Sequence, residues 1–266
     1  MGLLQTVVMA AVNAVTAFLP IGSSGHRHVV PAILGWASMD PAAMVAVYVG
    51  MLGAVASYFW RDVITFAMGA GKLIRGRMDA SARLLLFVLG ATAPAAIAGL
   101  LMRHLGWTSA LGPTTIGWTS LVFGLLLLAG DRIGVTVRKL SHATWSSAMI
   151  IGLTQVLAVI PGVGRSGIDV TLARVLGFER TEAARFSLLL SLPLLVGAIA
   201  LTTLDAASIG ALTLTLDAAI AGLTAFVAGL AAIAAMMAWL EERTFIPFAL
   251  YRIVAGAALL GWIYLG

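Results

Sequence analysis

Two polar, glycine-rich breaks interrupt an otherwise lipid-soluble chain, Pro20-Ile21-Gly22-Ser23-Ser24-Gly25-His26 and Pro161-Gly162-Val163-Gly164-Arg165-Ser166-Gly167. They limit the fold more than any other feature, because non-helical backbone in hydrocarbon leaves unpaired amides that cost several kcal/mol each. Their surroundings match as well. Val15 to Pro20 precedes the first break and Val156 to Pro161 the second, and ten residues after Gly25 and Gly167 come Gly35-Trp36 and Gly177-Phe178. The recurrence reads as an internal duplication, with repeat 1 at about 1–135 and repeat 2 at about 143–266 of a single membrane domain covering 1–266.

With 61% hydrophobic and 10% charged residues, the chain has too few charges to solvate a globular surface. Six stretches have membrane-spanning length and apolarity: Val45 to Trp60, Leu84 to Met102, Ile116 to Ala129, Phe186 to Leu204, Ala218 to Leu240 and Pro247 to Leu265. The chain therefore reads as an all-α polytopic membrane protein. The net charge of +5 sits in a few loops, so it reads as a determinant of membrane orientation and not as a nucleic-acid surface. No cysteine is present, which removes thiolate metal sites and thiol nucleophiles. The apolar run Leu3 to Leu19 lacks a basic leader and a cleavage site, so it is expected to belong to the fold.

The apolar segments flanking each break are too short to span, so each pair reads as a re-entrant hairpin. One hairpin and three spans per repeat would invert the second repeat relative to the first. Basic residues fit that topology. The linkers Arg61 to Arg83 and Asp131 to Trp145 are rich in Lys and Arg and should be cytoplasmic, whereas Arg103 to Thr115 and Thr202 to Asp217 should face outward. Both termini then lie on the periplasmic side of a bacterial inner (plasma) membrane, and the two hairpin tips meet near the midplane.

Glycines at such tips let backbone N–H groups turn toward a common point, and helices restarting after each tip aim their positive ends at it. This suits an anion. Ser23, Ser24 and Ser166 add hydroxyls, His26 an imidazole, and Arg165 a planar fork matched to phosphate oxygens, with Gly25 and Gly167 giving close backbone approach. Arg27 and His28 make the first tip more basic and are secondary candidates, as are Asn13 and Tyr48. Arg165 and Asp169, one helical turn apart, can also form a structural ion pair, and Arg27, His28 and Arg174 can equally be helix-end residues reaching toward headgroups.

At these residues the chain resembles the bacterial undecaprenyl-pyrophosphate phosphatases of the bacitracin-resistance type. Pro20 to His26 is similar to that family's first motif and Pro161 to Gly167 to its second. Tyr58-Phe59-Trp60-Arg61-Asp62, Ala173 to Ser187 and Phe245 to Arg252 extend the likeness over essentially the whole length. The resemblance implies six spans, two re-entrant hairpins, and a polyprenyl pyrophosphate held at the tips with its tail in lipid. It also implies a Mg²⁺ or Ca²⁺ cofactor held by two carboxylates one turn apart, where this chain has Asn13 and Ala17. Gly22 and Gly164 stand where the resemblance implies serine, Asp169 where it often implies threonine, and Met44, Tyr48 and Met51 where it implies polar groups. With the metal ligands lost, no metal site is expected.

Three functions remain open on the sequence. In a working phosphatase His26 or Ser23 attacks or activates water, Arg165 holds phosphate and Asp169 replaces the missing acid, with hydrolysis weakened or lost because a general acid or base is worth ~10²–10⁴-fold. A non-hydrolytic transporter, flippase or sensor of a polyprenyl or other lipid phosphate would use the same anion site. A carrier of a small soluble anion would need a closed polar path.

Overall fold

The computed structural model describes residues 2–106, 112–213 and 215–265, and the middle of the outward connection expected at Arg103 to Thr115 falls outside these. The described residues form eleven α-helices, in order α1 (Leu3–Phe18), α2 (Ser23–Leu34), α3 (Pro41–Tyr58), α4 (Trp60–Ile74), α5 (Ala80–His104), α6 (Pro113–Ile133), α7 (Trp145–Thr154), α8 (Arg165–Val175), α9 (Arg180–Ser208), α10 (Leu216–Glu242) and α11 (Ile246–Leu265). Six of these, α3, α5, α6, α9, α10 and α11, are long and apolar enough to cross a membrane and coincide with the six expected stretches. The chain is an all-α polytopic membrane protein.

Local sequence sets the helix ends. Asp40 accepts from Ala42 N ahead of Pro41, which opens α3, and Asp79 accepts from Ala82 N at 3.0 Å to start α5. Gly35 closes α2 in the left-handed region at φ +64°. α1–α2 and α7–α8 are short helical arms on either side of the two breaks, as a hairpin requires, and a 3₁₀ segment, Gln155–Val159, extends α7 toward the second break.

Packing interleaves the two halves of the sequence. α3 lies against α10 and α6 against α11, while α1 packs on α10 and α5 on α7, so the first arm of each hairpin rests on a span from the other half. Small residues permit the approach. A Cβ at Gly50 would overlap the Gly222 carbonyl, and one at Gly256 would lie 2.7 Å from Leu121 N. Between apolar helices in lipid this close van der Waals contact replaces the hydrophobic drive available in water.

α4 is the element the sequence reading missed. The basic linker expected at Arg61 to Arg83 begins instead as a helix, Trp60 to Ile74, with Trp60, Ile64 and Met68 exposed along one stripe and Asp62 and Gly69 buried on the other side. An apolar stripe at that spacing beside a stacked Arg61–Trp60 pair (5.2 Å to the ring centroid) is the pattern of a helix lying in the membrane interface. Asp62 joins it to α9 through Arg185 at 2.6 Å. A buried ionic knot binds α6, α8 and α9 to the start of α11: Asp131 accepts from Arg174 Nε at 3.1 Å, Arg180 Nε at 2.8 Å and Phe245 N at 3.0 Å. Arg174, fully buried and hydrogen-bonded besides to Phe178 O, Gly134 O and Thr136, is a structural residue of this knot.

Candidate functional site between two touching tips

The two breaks meet backbone to backbone. Gly22 and Gly164 both adopt positive φ, +86° and +71°, and a Cβ on Gly164 would lie 2.7 Å from Gly22 Cα. A serine at Gly164, such as the resemblance implies, would push the tips apart. Two reciprocal hydrogen bonds close the contact: Gly162 N donates to Ser24 Oγ at 2.9 Å, and Ser166 Oγ donates to Leu19 O at 2.9 Å. Ser24 and Ser166, expected to bind substrate, thus tie the tips together.

The second tip is held from two further sides. Thr119 Oγ1 on α6 donates to Pro161 O at 2.7 Å, and Arg252 Nη2 on α11 donates to Gly162 O at 2.9 Å and Val163 O at 2.6 Å. These bonds supply the partners that irregular backbone needs within a membrane. Gly167 has a related purpose, since a Cβ there would collide with Arg252 Nη1.

Beside the contact lies a cavity of ≈ 210 Å³. Ser23, Ser24 and Arg27 come to it from α2, Asn13 and Ala17 from α1, Tyr48 and Met51 from α3, and Gly164 and Arg165 from the second tip. Arg27 Nη1 donates to the Tyr48 hydroxyl at 3.0 Å, which brings two secondary candidates onto the wall. Asn13 Nδ2 turns back onto Met9 O at 2.8 Å, leaving the amide oxygen as its free acceptor. Arg165, whose side chain is 19% exposed, donates through Nη1 to Ser187 O at 2.8 Å and Asp169 Oδ2 at 3.2 Å. Asp169 is 1% exposed, takes a further bond from Ser187 Oγ at 3.1 Å, and lies behind Arg165, outside the cavity lining.

The expected site therefore divides. At about 100° per residue, Ser23, Ser24 and Arg27 share one face of α2 while Gly25 and His26 lie on another. His26 contacts Gly22 O through Nδ1 at 2.9 Å and the Tyr251 hydroxyl through Nε2 at 2.7 Å, stacking on that ring with 5.7 Å between centroids. It borders a second cavity of ≈ 230 Å³ together with Gly22, Gly25, Ser120, Tyr251 and Arg252. His28 is exposed and its ring Nδ1 lies 2.7 Å from Ser24 O; it lines neither of these two cavities. Arg252 was missed as a functional residue, although it is the one charged residue in the apolar span α11, which is itself a signal.

The donor set of the first cavity is cationic and neutral: two guanidinium groups, serine and tyrosine hydroxyls and one amide. It suits phosphate oxygens. It does not fit Mg²⁺ or Ca²⁺, which take most of their ligands from carboxylates and carbonyls, and among the described residues no three His, Asp or Glu side chains gather to hold a metal ion.

Comparison with known proteins agrees with this architecture. Residues 6–258 match the family model described as bacitracin resistance protein BacA. The chain is 46% identical over 271 aligned residues to undecaprenyl-diphosphatase 1 of Rhodospirillum rubrum, covering 99% of this chain and 96% of that protein. It is 40% identical to the undecaprenyl-diphosphatase of Ruegeria pomeroyi (99% and 100% covered) and 40% identical to undecaprenyl-diphosphatase 1 of Paramagnetospirillum magneticum (100% and 99% covered). The chain, all-α and with six apolar spans, belongs to the bacitracin resistance protein BacA family.

Proposed function

We propose that the cavity between the tips binds the pyrophosphate of a polyprenyl lipid, undecaprenyl pyrophosphate by the names its relatives carry, and that hydrolysis to the monophosphate is slow. The cavity's lining carries this reading. Arg165 and Arg27 supply fixed positive charge for the phosphate oxygens, Ser23 supplies a hydroxyl, and the prenyl tail would leave between helices into lipid. Hydrolysis requires a water to attack phosphorus and a proton to be handled as the bridging oxygen leaves. On the α1 wall, where the family resemblance implies two carboxylates, Ala17 offers no polar atom and Asn13 one neutral oxygen, which is no base and does not by itself hold Mg²⁺ or Ca²⁺ against water. Asp169 positions Arg165 instead of exchanging protons with substrate, since its carboxylate is buried behind the guanidinium. His26 borders the other cavity, so the side chains of α2 that face a water in this one are Ser23, Ser24 and Arg27.

The membrane arrangement we propose is an inverted repeat of 1–135 and 143–266 in a bacterial inner membrane, with both termini periplasmic. The exchange of hairpin partners, α1 with α10 and α5 with α7, supports it. So do the ion pairs: Arg103 meets Asp205 where α5 and α9 end, and Asp62 meets Arg185 where α4 and α9 begin, each joining ends assigned to one side. Interleaved halves around a polar midplane site also favour a second reading, a carrier that moves the lipid phosphate without cleaving it.

Phosphate release from undecaprenyl pyrophosphate tests the first reading. The native chain should turn over at least about a hundredfold more slowly than the Rhodospirillum rubrum relative, and Asn13→Glu with Ala17→Glu should recover rate in the presence of Mg²⁺ or Ca²⁺. Native turnover equal to the relative's would refute the claim of slow hydrolysis. No turnover together with lipid flipping in proteoliposomes would favour the carrier.

A further inference from the structure

Away from the tips, α4 packs on α5 and borders a cavity of ≈ 500 Å³, larger than either cavity beside the tip contact. Its apolar lining comes from Met68, Leu84, Phe87 and Leu140, and its charged lining from Lys72, Asp79, Arg83 and Arg185. Two observations place it at the level of the lipid headgroups. Met68 belongs both to the cavity and to the exposed Trp60, Ile64, Met68 stripe of α4. Trp145, at the start of α7, is exposed yet packs against Phe87 with 5.8 Å between ring centroids, and tryptophan favours the membrane–water boundary.

Most of the charges in the cavity are already matched. Asp79 takes Lys72 on Oδ2, and on Oδ1 the Ser81 hydroxyl at 2.6 Å and Ala82 N at 3.0 Å. Arg185 is held by Asp62 at 2.6 Å and Glu182 at 3.5 Å, and Glu182, outside the lining, spends its other oxygen on Leu140 N at 3.0 Å. Arg83 is exposed to the cavity and, among the described residues, its guanidinium has no ion pair or hydrogen bond; the Ser141 hydroxyl beside it is also free. A free cation and a hydroxyl above hydrocarbon side chains match a ligand with one negative charge at its head and an apolar tail. We propose that this cavity binds a phospholipid of one net negative charge, its phosphodiester on Arg83 and Ser141 and an acyl chain along Met68, Leu84 and Phe87. The bound lipid fastens α4 to α5 in the interface, whatever the tips hold.

The test uses the full chain, delipidated in detergent and titrated with phosphatidylglycerol or with phosphatidylethanolamine of the same acyl chains, bound lipid being counted by native mass spectrometry. Arg83→Gln removes the free cation, and since Arg83 is exposed and unpaired its loss leaves unfolding unchanged. Arg77→Gln, also exposed but outside the lining, controls for general charge attraction. One phosphatidylglycerol should bind about tenfold or more tightly than phosphatidylethanolamine. Arg83→Gln should lower that affinity by about fivefold to tenfold, and Arg77→Gln should change it little. Glycerophosphoglycerol, the same headgroup without acyl chains, should fail to displace the lipid. Displacement by it at comparable concentration would make a soluble phosphodiester the occupant and overturn the lipid site. Equal affinity for the two lipids, or equal losses in Arg83→Gln and Arg77→Gln, would overturn it as well.

Discussion

The two tips share a sequence pattern and do opposite work. In the second, Pro161 to Gly164 is buried throughout, its carbonyls are held by Thr119 and Arg252, and α8 behind it is buried along most of its length. In the first, Pro20 and Gly22 of the turn are buried as well, but Ser23, Ser24, His26 and Arg27 are only half-buried, and Gly25 is the sole buried residue of α2. One copy of a duplicated motif has become a clamped platform from which Arg165 projects, and the other presents side chains to a cavity on each of two faces. The general lesson is that duplication conserves the turn chemistry while the surroundings decide which copy is anchored.

The sharpest way to break that comparison is to put a methyl group on each tip. At Gly162, φ is +89° and a Cβ would overlap Thr119 Oγ1, so Gly162→Ala should cost about 2–4 kcal/mol from left-handed strain and overpacking together. At Gly22, φ is +86° but the nearest atom, Gly162 O, would lie 3.1 Å away, so Gly22→Ala should cost roughly half as much. Thermal unfolding in detergent checks the order, and equal losses would mean that the second tip is not the more firmly held.

Removing charge from the platform comes next. Arg165→Ala leaves Asp169 buried without its cation, and should destabilise the fold by ~3 kcal/mol as well as remove pyrophosphate binding. Adding Asp169→Asn should restore most of the stability and none of the binding. If the double variant bound lipid as the native chain does, Arg165 would be a structural residue only.

The smallest effects belong to the two hydrogen bonds that cross between the tips. Ser24→Ala and Ser166→Ala each remove one, worth about 0.5–1.5 kcal/mol. Ser166→Ala should act on stability alone, since Ser166 lies outside the first cavity, while Ser24→Ala should also weaken ligand binding because Ser24 lines it. Calorimetric binding beside unfolding curves separates the two outcomes.

Much of this was legible before any coordinates. The six spans follow from length and apolarity, and the hairpins from Pro, Gly and Ser breaks that no lipid-exposed helix tolerates without compensation. α4 was not legible in the same way, because Arg61, Asp62 and Lys72 near its two ends leave an apolar run too short to span and draw attention from the Trp60, Ile64, Met68 stripe. At the tips, residue type indicated anion chemistry but not direction. Ser23 and His26 are three positions apart and still border different cavities, because the tip contact falls between them. Arg252 reaches the second tip from about 90 residues further along the chain, a contact no local pattern encodes. The Gly22 and Gly164 contact likewise became visible only when the tips were seen to touch.

The central claim is that the Arg27–Arg165 cavity is where lipid pyrophosphate binds, and the most direct measurement is the affinity of undecaprenyl pyrophosphate for the native chain and for Arg27→Gln. Arg27 pairs with Tyr48 and, among the described residues, with no acid, so its loss should leave unfolding nearly unchanged while weakening lipid binding by about tenfold or more, the worth of a charge-assisted hydrogen bond. Native affinity in a stable Arg27→Gln protein would place the pyrophosphate elsewhere and contradict the account.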